Sequence, residues 1–383
     1  MAGLGPMAAN IRRLRYGRGL TQDQVAGLAG ISRIAFRDIE TGKTRHPRVT
    51  TLQGIAGALD VGLQELMSEP PQLSTVRFRS HKLKTRKQQA LREQIIADVA
   101  RWLRDFNGLE ELLGQRRPYG LDGPADELSS TRSADLPRCA AEHARHALAL
   151  DPDEPIRNVC ALLEAAGVKI LTVRSDLEKL FGLSVAAADG GPAVIVNVRD
   201  EISVERRIFS AAHELGHLLL HPDAYSADQI EEDEQEERQA DRFAGYFLMP
   251  PAAFQKEWQA NSGLRLVDRV LRVKRIFRVS YKTVLYRLIE LGLADKGAWA
   301  RFGYEYKRQY GEGLGWKEEP KPADEIDVEP LSLARPDFME GRLSRLVREA
   351  LDQESISVSR AAEILGVDLQ SMRDRIASWE FAA

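Results

Sequence analysis

Two cysteines in 383 residues, Cys139 and Cys160, are too few for a disulfide framework, and they lack the close spacing of a thiolate zinc site. Their scarcity points away from a small secreted scaffold and towards a reducing compartment. No apolar run approaches the ~20 residues of a membrane span, and the first residues carry no secretory signal. Basic charge is not in excess either. The 54 Lys and Arg stand against 57 Asp and Glu, a formal net charge of -3, which excludes a chain that coats nucleic acid along its whole length. With 43% hydrophobic residues, the chain is long enough to hold two or three domains with cores of their own.

The chemistry concentrates in one stretch, His213-Glu-Leu-Gly-His217, followed twenty positions later by Glu237 at the head of a Glu-Arg-Gln-Ala-Asp241 run. On a helix, residues four apart lie on one face within ~6 Å, so both imidazoles can reach a single tetrahedral ion. Glu214 falls beside that ion without ligating it. Glu237 suits the third-ligand role, because Asp241 stacks one turn above it and can orient an imidazole N–H. Glu236 and Glu234 compete with it, and the position three before Ala240 favours Glu237.

The flanking residues say which way this helix faces. From a start near Ser203, Val204, Ile208, Ala211, Leu215, Leu218 and Leu219 form one apolar stripe at helical spacing, and His213 and His217 project away from it towards a cleft. In the later helix Ala240, Ala244 and Leu248 share the side of Glu237 and Asp241, so two backbones can approach closely, and Gly216 relieves crowding in the same way. The bland reading is a histidine pair that hydrogen-bonds within a core. His221, one turn on, is read as structural or as a support for the ligands.

These pieces resemble the ImmA/IrrE family of metallo-endopeptidases, over about residues 155–255. The resemblance rests on Arg207-Ile-Phe-Ser-Ala-Ala-His-Glu-Leu-Gly-His-Leu-Leu-Leu-His221 and Glu237-Arg-Gln-Ala-Asp-Arg-Phe-Ala-Gly-Tyr-Phe-Leu-Met-Pro250. It implies a gluzincin-like zinc endopeptidase: one Zn2+ ion, with Mn2+ as the alternative, held by His213, His217 and Glu237. Asp241 and His221 would support the ligands, and Glu214 would be the proton acceptor that activates water and delivers the proton to the leaving amine. The implied substrate is a protein, often a repressor. Tyr246 and His221 are the candidates for an oxyanion donor.

A second pattern occupies the N-terminus. Thr21-Gln-Asp-Gln-Val-Ala-Gly-Leu-Ala-Gly30 and Ile31-Ser-Arg-Ile-Ala-Phe-Arg-Asp-Ile-Glu-Thr-Gly-Lys43 place Thr21 and Ser32 where helix N-caps are needed, and Gly30 and Gly42 where helices stop. This resembles the XRE (Cro/cI-like) helix-turn-helix domain, which implies that the helix from Ser32 to Thr41 enters the major groove of an operator in double-stranded DNA. Phe36 and Ile39 recur at core spacing, leaving Arg33, Ile34, Arg37 and Asp38 outward. Arg33 and Arg37 are the base-reading candidates, Ser32 and Ile34 lie beside them, and Gln22 and Lys43 are placed to grip phosphates. Residues 1–70 hold nine Lys and Arg and six Asp and Glu, a mild excess of +3 that suits a homodimer summing contacts from two copies.

Between and beyond these domains the signals are weaker. Val76 to Lys87 is basic without an acid and reads either as a segment along DNA backbone or as a solvated helix start; a long helix or helical hairpin follows over Gln88–Leu113. Gln115–Pro137 and Trp316–Pro336 read as loop and linker. Strands are expected at 168–173, 184–187 and 193–197, with Gly190-Gly191 turning the last two into a hairpin, so that a small sheet offers an extended substrate an edge. Ala361-Ala-Glu-Ile-Leu-Gly-Val367 echoes Val25-Ala-Gly-Leu-Ala-Gly-Ile31, suggesting a helix-turn-helix near the C-terminus or an ordinary helical hairpin.

The expected fold class is mostly α with a small β-sheet (α+β): an N-terminal five-helix helix-turn-helix bundle, a central zincin-like metallopeptidase domain and a helical, helix-turn-helix-like C-terminal region. The expected divisions are 8–68 for the DNA-binding domain, 69–136 for connector, long helix and loop, 137–256 for the peptidase domain, 257–310 for a helical, helix-turn-helix-like segment, 311–336 for a linker and 337–383 for a C-terminal helical segment. The function expected is a cytoplasmic bacterial transcriptional regulator that cleaves a repressor or partner protein in a stress or mobile-element response, with no membrane partner. The alternative is a non-enzymatic regulator or antitoxin-like protein whose zinc pocket is structural or senses a ligand.

Overall fold

The computed structural model describes residues 5–67, 73–78, 85–121, 136–177, 180–225, 233–311, 313–314 and 333–381. Helix accounts for 63%, and a four-stranded sheet completes the α+β architecture expected from the sequence. Two compact units emerge, one of residues 1–73 and 81–105, the other of 74–80 and 106–383.

The first unit contains five short helices: α1 (Pro6–Gly17), α2 (Gln22–Leu28), α3 (Arg33–Glu40), α4 (Val49–Ala58) and α5 (Leu63–Met67). Thr21 caps α2 with a reciprocal capping box to Gln24, and the Ser32 hydroxyl accepts from the Ala35 N–H at the start of α3. Gly30 and Gly42 adopt left-handed φ values of +67° and +73°, which ends α2 and α3 where the sequence requires. Ile11, Leu14, Val25, Phe36, Ile39, Ile55 and Leu66 form the core. Buried Glu40 accepts from Arg15 and Gln22, both at 2.5 Å, tying α1 and α2 to α3. A long helix, α6 (Arg86–Leu112), follows and continues into the second unit.

In the second unit, α7 (Leu136–Ala147) and α8 (Val159–Ala165) precede β2 (Lys169–Val173), β3 (Gly182–Val185) and β4 (Ala193–Asn197). The sheet order is β1-β3-β4-β2, where β1 is Val76–Phe78, with β2 parallel to β4 and β3 antiparallel to β4. Gly190, at φ +86°, turns the β3–β4 hairpin as expected. β3 begins two residues earlier than the sequence pattern suggested and ends at Val185, because Ala187–Asp189 wind into a 3-10 turn that takes the chain round to β4.

The fourth strand was not expected. Val76–Phe78 of the basic connector forms β1 and pairs antiparallel with β3. Arg77 therefore lies in the sheet unit, neither along DNA nor at a helix start; residues 79–84 fall outside the described residues, as do 122–135 and 315–332 of the two expected linkers.

Two helices carry the chemistry: α9 (Val204–Leu220), capped by Ser203, which lies on β3 and β4, and α10 (Glu234–Leu248), capped by Asp233, which packs on α9 and α7. Ile208, Ala211 and Leu215 of α9 pack with Val194 and Val196 of β4 and with Phe243, Ala244 and Phe247 of α10. The same core takes in α11 (Pro251–Ala260), α12 (Leu266–Phe277), α13 (Tyr281–Glu290) and α14 (Ala298–Tyr310). Lys274 of α12 donates to Glu205 of α9 at 2.8 Å, with both side chains at most 2% exposed. The C-terminal helices α15 (Arg342–Asp352), α16 (Val358–Leu365) and α17 (Leu369–Phe381) begin on an anchored end: the Glu164 carboxylate accepts the N–H groups of Gly341 and Arg342 at the α15 N-terminus, where a negative charge is favoured. Gly366 ends α16 at φ +62°, as Gly30 ends α2, so the sequence echo extends to the backbone.

Candidate metal centre

His213 and His217 lie one turn apart on α9, opposite its contact with β4, and α10 covers them. The two rings are 1% and 0% exposed. Close approach of the two helices depends on small residues: Ala240 and Ala244 are fully buried, and a Cβ on Gly216 would stand 2.9 Å from the ring of Phe243. This packing brings Glu237 to the histidines. One ligand atom from each of His213, His217 and Glu237 falls within 4.8 Å of the others. The His213 and His217 Nε2 atoms are 2.9 Å apart, and Glu237 oxygens lie 3.6 and 3.3 Å from them. Of the competing acids, Glu236 pairs with Arg77 at 2.5 Å and exposed Glu234 with Arg238 at 3.4 Å.

The hydrogen bonds behind the rings decide what the ring nitrogens offer. His213 Nδ1 donates to Asp241 at 2.8 Å, leaving its Nε2 with a lone pair. The other chain of bonds runs in one direction: His221 Nε2 donates to Gln239 Oε1 at 2.8 Å, so His221 Nδ1 accepts from His217 Nδ1 at 3.0 Å, and His217 Nε2 also presents a lone pair. Two lone pairs and a carboxylate aimed at one point repel one another unless a cation lies between them. Two imidazoles and one carboxylate are the donor set of a borderline-soft divalent ion with a coordination position left open. The residues present thus fit zinc. Burial, above all, holds the His217 imidazole well below its ordinary pKa, and it lowers His221 as well, so both stay neutral, the state in which an imidazole binds metal.

Glu214, next in sequence to His213, is buried and lies outside the donor set. Its Oε2 accepts from the Ser184 hydroxyl at 2.7 Å, and Ser184 in turn contacts the Tyr225 hydroxyl at 2.9 Å. Gly182 leaves room for it, since a Cβ there would stand 3.0 Å from Glu214 Cγ. Burial pushes the Tyr225 phenol well above its usual range, with the Glu214 charge adding to the effect, so Tyr225 remains a neutral hydrogen-bond donor.

Ser184, Tyr225, Gln239 and Arg77 were not foreseen from the sequence. A lone serine in an otherwise apolar strand was the one available signal. Tyr246, an oxyanion candidate on sequence grounds, instead donates its hydroxyl to Glu290 at 3.1 Å.

In the first unit, Arg33, Ile34 and Arg37 project from α3 into solvent, with Ile34 64% exposed, while Phe36 and Ile39 are buried. Arg33 pairs with Asp23, and Arg37 and Lys43 with Asp38, all in exposed, easily exchanged contacts. Ser32 is engaged as the α3 cap, and Gln22 is half-buried with its amide on Glu40.

Residues 163–289 match the model of the IrrE N-terminal-like domain, a peptidase family, and residues 6–69 match that of a helix-turn-helix domain. The chain carries both domains. The IrrE-like match runs from α8 through α13, further than the 155–255 span of the sequence resemblance. An uncharacterized HTH-type transcriptional regulator of Bacillus subtilis (strain 168), RghRB, is 35% identical over 65 residues, 17% of this chain and 47% of the relative. The chain thus spans just under half the length of that relative. Among the described residues no helix is long and apolar enough to cross a membrane.

Proposed function

We propose that this protein is a DNA-binding transcriptional regulator whose IrrE-like unit is a zinc-dependent endopeptidase. One observation carries the reading: His213, His217 and Glu237 converge on one point, while Glu214, the residue after His213, is buried outside the donor set and held by Ser184. A purely structural site needs no buried acid in that place. Bound between the three donors, zinc would supply a Lewis acid for a peptide carbonyl and its attacking water. Glu214, oriented by Ser184, takes the proton from the water and passes it to the leaving amine. Asp241 holds His213, and the Gln239–His221 chain holds His217, each in the tautomer that keeps Nε2 turned to the ion. Tyr225, neutral and two hydrogen bonds from Glu214 through Ser184, fixes that acid's position.

On the DNA side, α3 presents Arg33, Ile34 and Arg37 to the major groove of a double-stranded operator, with Lys43 on phosphate and two copies binding as a homodimer. The partner cleaved is a protein, in this reading a repressor in a stress or mobile-element response, and the setting is the bacterial cytoplasm. The test incubates purified protein with neighbouring regulators, with and without chelator, and reads products by mass spectrometry. The reading expects a defined scissile bond that disappears with chelator and with Glu214→Gln. Cleavage that persists in Glu214→Gln would refute the catalytic assignment.

A further inference from the structure

The sheet edge nearest the metal donors belongs to β3, and the chain itself covers it. β1 pairs with β3 in a three-residue antiparallel ladder, with Arg77 opposite Ser184. Residues opposite one another in a ladder project to the same face. Ser184 reaches Glu214 from that face, and Arg77 follows it: its guanidinium meets Glu236 at 2.5 Å and Glu237 at 3.3 Å, with the arginine side chain only 12% exposed. An arginine from a strand unrelated to the metal motif thus lies against a metal-donor carboxylate. It also holds Glu236, the acid next to that donor.

An extended peptide docks on a sheet by adding a strand to an open edge, with main-chain hydrogen bonds for affinity and side-chain pockets for choice. The geometry points to β1 as an internal occupant of the substrate-docking edge. The substrate is an extended protein segment that takes the place of Val76–Phe78 along β3, with an arginine or lysine where Arg77 stands and Glu236 as the partner of its charge. This inference rests on the peptidase reading of the site. Three features support it. The strand is antiparallel to β3 at the step that carries Ser184; its one charged side chain enters the cleft; and so short a ladder is readily displaced. While β1 is seated, Arg77 sets a positive charge against Glu237 and closes the approach to Glu214.

The register supplies the means of testing it. The Ala186 N–H donates to the Thr75 carbonyl at 3.0 Å, which makes 75 and 186 a hydrogen-bonded pair and leaves Val76 opposite Val185 as a non-hydrogen-bonded pair, where Cβ atoms approach closely enough for a disulfide. The probe is a fluorescein-labelled peptide with the sequence of residues 74–80, Ser-Thr-Val-Arg-Phe-Arg-Ser, titrated by anisotropy against the zinc-loaded full chain carrying Glu214→Gln, so that nothing is hydrolysed. Adding Arg77→Pro removes both the guanidinium and the N–H that bonds to β3, and is expected to tighten peptide binding at least tenfold. The Val76→Cys/Val185→Cys pair is expected to abolish binding when oxidised and to restore the parent affinity when reduced. A peptide with glutamate in place of its first arginine is expected not to bind. Equal affinities for parent and Arg77→Pro, together with a staple that changes nothing on oxidation, would overturn the inference. Metal content measured on the same samples separates the two failures: a parent without zinc overturns the peptidase reading as well, whereas a zinc-loaded parent indifferent to both perturbations overturns the occupied edge alone.

Discussion

Replacing Gly216 with alanine sets two opposing effects against each other. In an exposed helix the change stabilises by about 1 kcal/mol, because alanine has less backbone freedom to lose. At position 216 the new methyl would stand 2.9, 3.2 and 3.3 Å from three atoms of Phe243. That ring cannot swing away, since it is fully buried and stacked on Phe247 at 5.6 Å and 11°. Overpacking of this kind costs about 1–3 kcal/mol, so the balance falls at about 0–2 kcal/mol destabilising. A domain of this size loses about 2–4 °C in Tm for each kcal/mol. Relief of the clash moves α10 away from α9, and Glu237 moves with α10, so zinc affinity should fall by roughly tenfold, the lower end of losses seen when ligand support is disturbed. Gly245→Ala is the control: a Cβ at that position of α10 would meet no atom within 4 Å, so the change should raise stability by about 0.5–1 kcal/mol with zinc affinity unchanged. Thermal melts and competitive chelator titrations on both variants provide the assay. A Gly216→Ala protein as stable as its parent and with the same zinc affinity would refute the argument that helix spacing sets the site.

Further outcomes follow from other contacts. Asp241→Ala should lower zinc affinity about 10–100-fold by freeing the His213 ring, measured by the same titration; unchanged affinity would show that the 2.8 Å contact does not orient the ligand. Lys274→Met leaves Glu205 buried without its charged partner, with only the Leu333 N–H still donating to it, and should cost about 3–5 kcal/mol in denaturant unfolding, whereas the double change with Glu205→Leu should recover most of it; a single variant as stable as the parent would contradict the pairing. Burial depresses His217 and His221 in the folded state, so below about pH 6.5 the unfolded chain binds more protons than the native one. Stability of the zinc-free protein should therefore be present at pH 7 and fall as pH drops through that value, by about 1.4 kcal/mol per pH unit for each proton taken up. A flat stability between pH 7 and pH 5 would contradict it.

The parts of the site legible in the sequence are those held by one helix or by a short pattern on the next. His213, Glu214 and His217 declare their geometry through four-residue spacing, and the small residues Gly216, Ala240 and Ala244 foretold the close helix approach that the packing around Phe243 displays. The caps Thr21 and Ser32 and the left-handed Gly30 and Gly42 were equally local and equally readable. What stayed hidden depends on contacts across long stretches of chain. Ser184 touches Glu214 thirty residues away, and His221 touches Gln239 eighteen away, with no periodicity linking either pair. Arg77 illustrates the limit: a basic run reports charge but not direction, and only pairing with β3 turns this arginine towards Glu236, far along the chain. Gln22 shows the same limit, since nothing local reveals that its amide meets buried Glu40.

Metal content of the purified protein, measured by inductively coupled plasma mass spectrometry on parent, Glu236→Ala and Glu237→Ala, tests the central claim most directly. The convergence of His213, His217 and Glu237 predicts about one zinc per chain in the parent and in Glu236→Ala, and a small fraction of that in Glu237→Ala. A parent that takes up no zinc, or a Glu237→Ala protein that holds it as well as the parent does, would contradict the account.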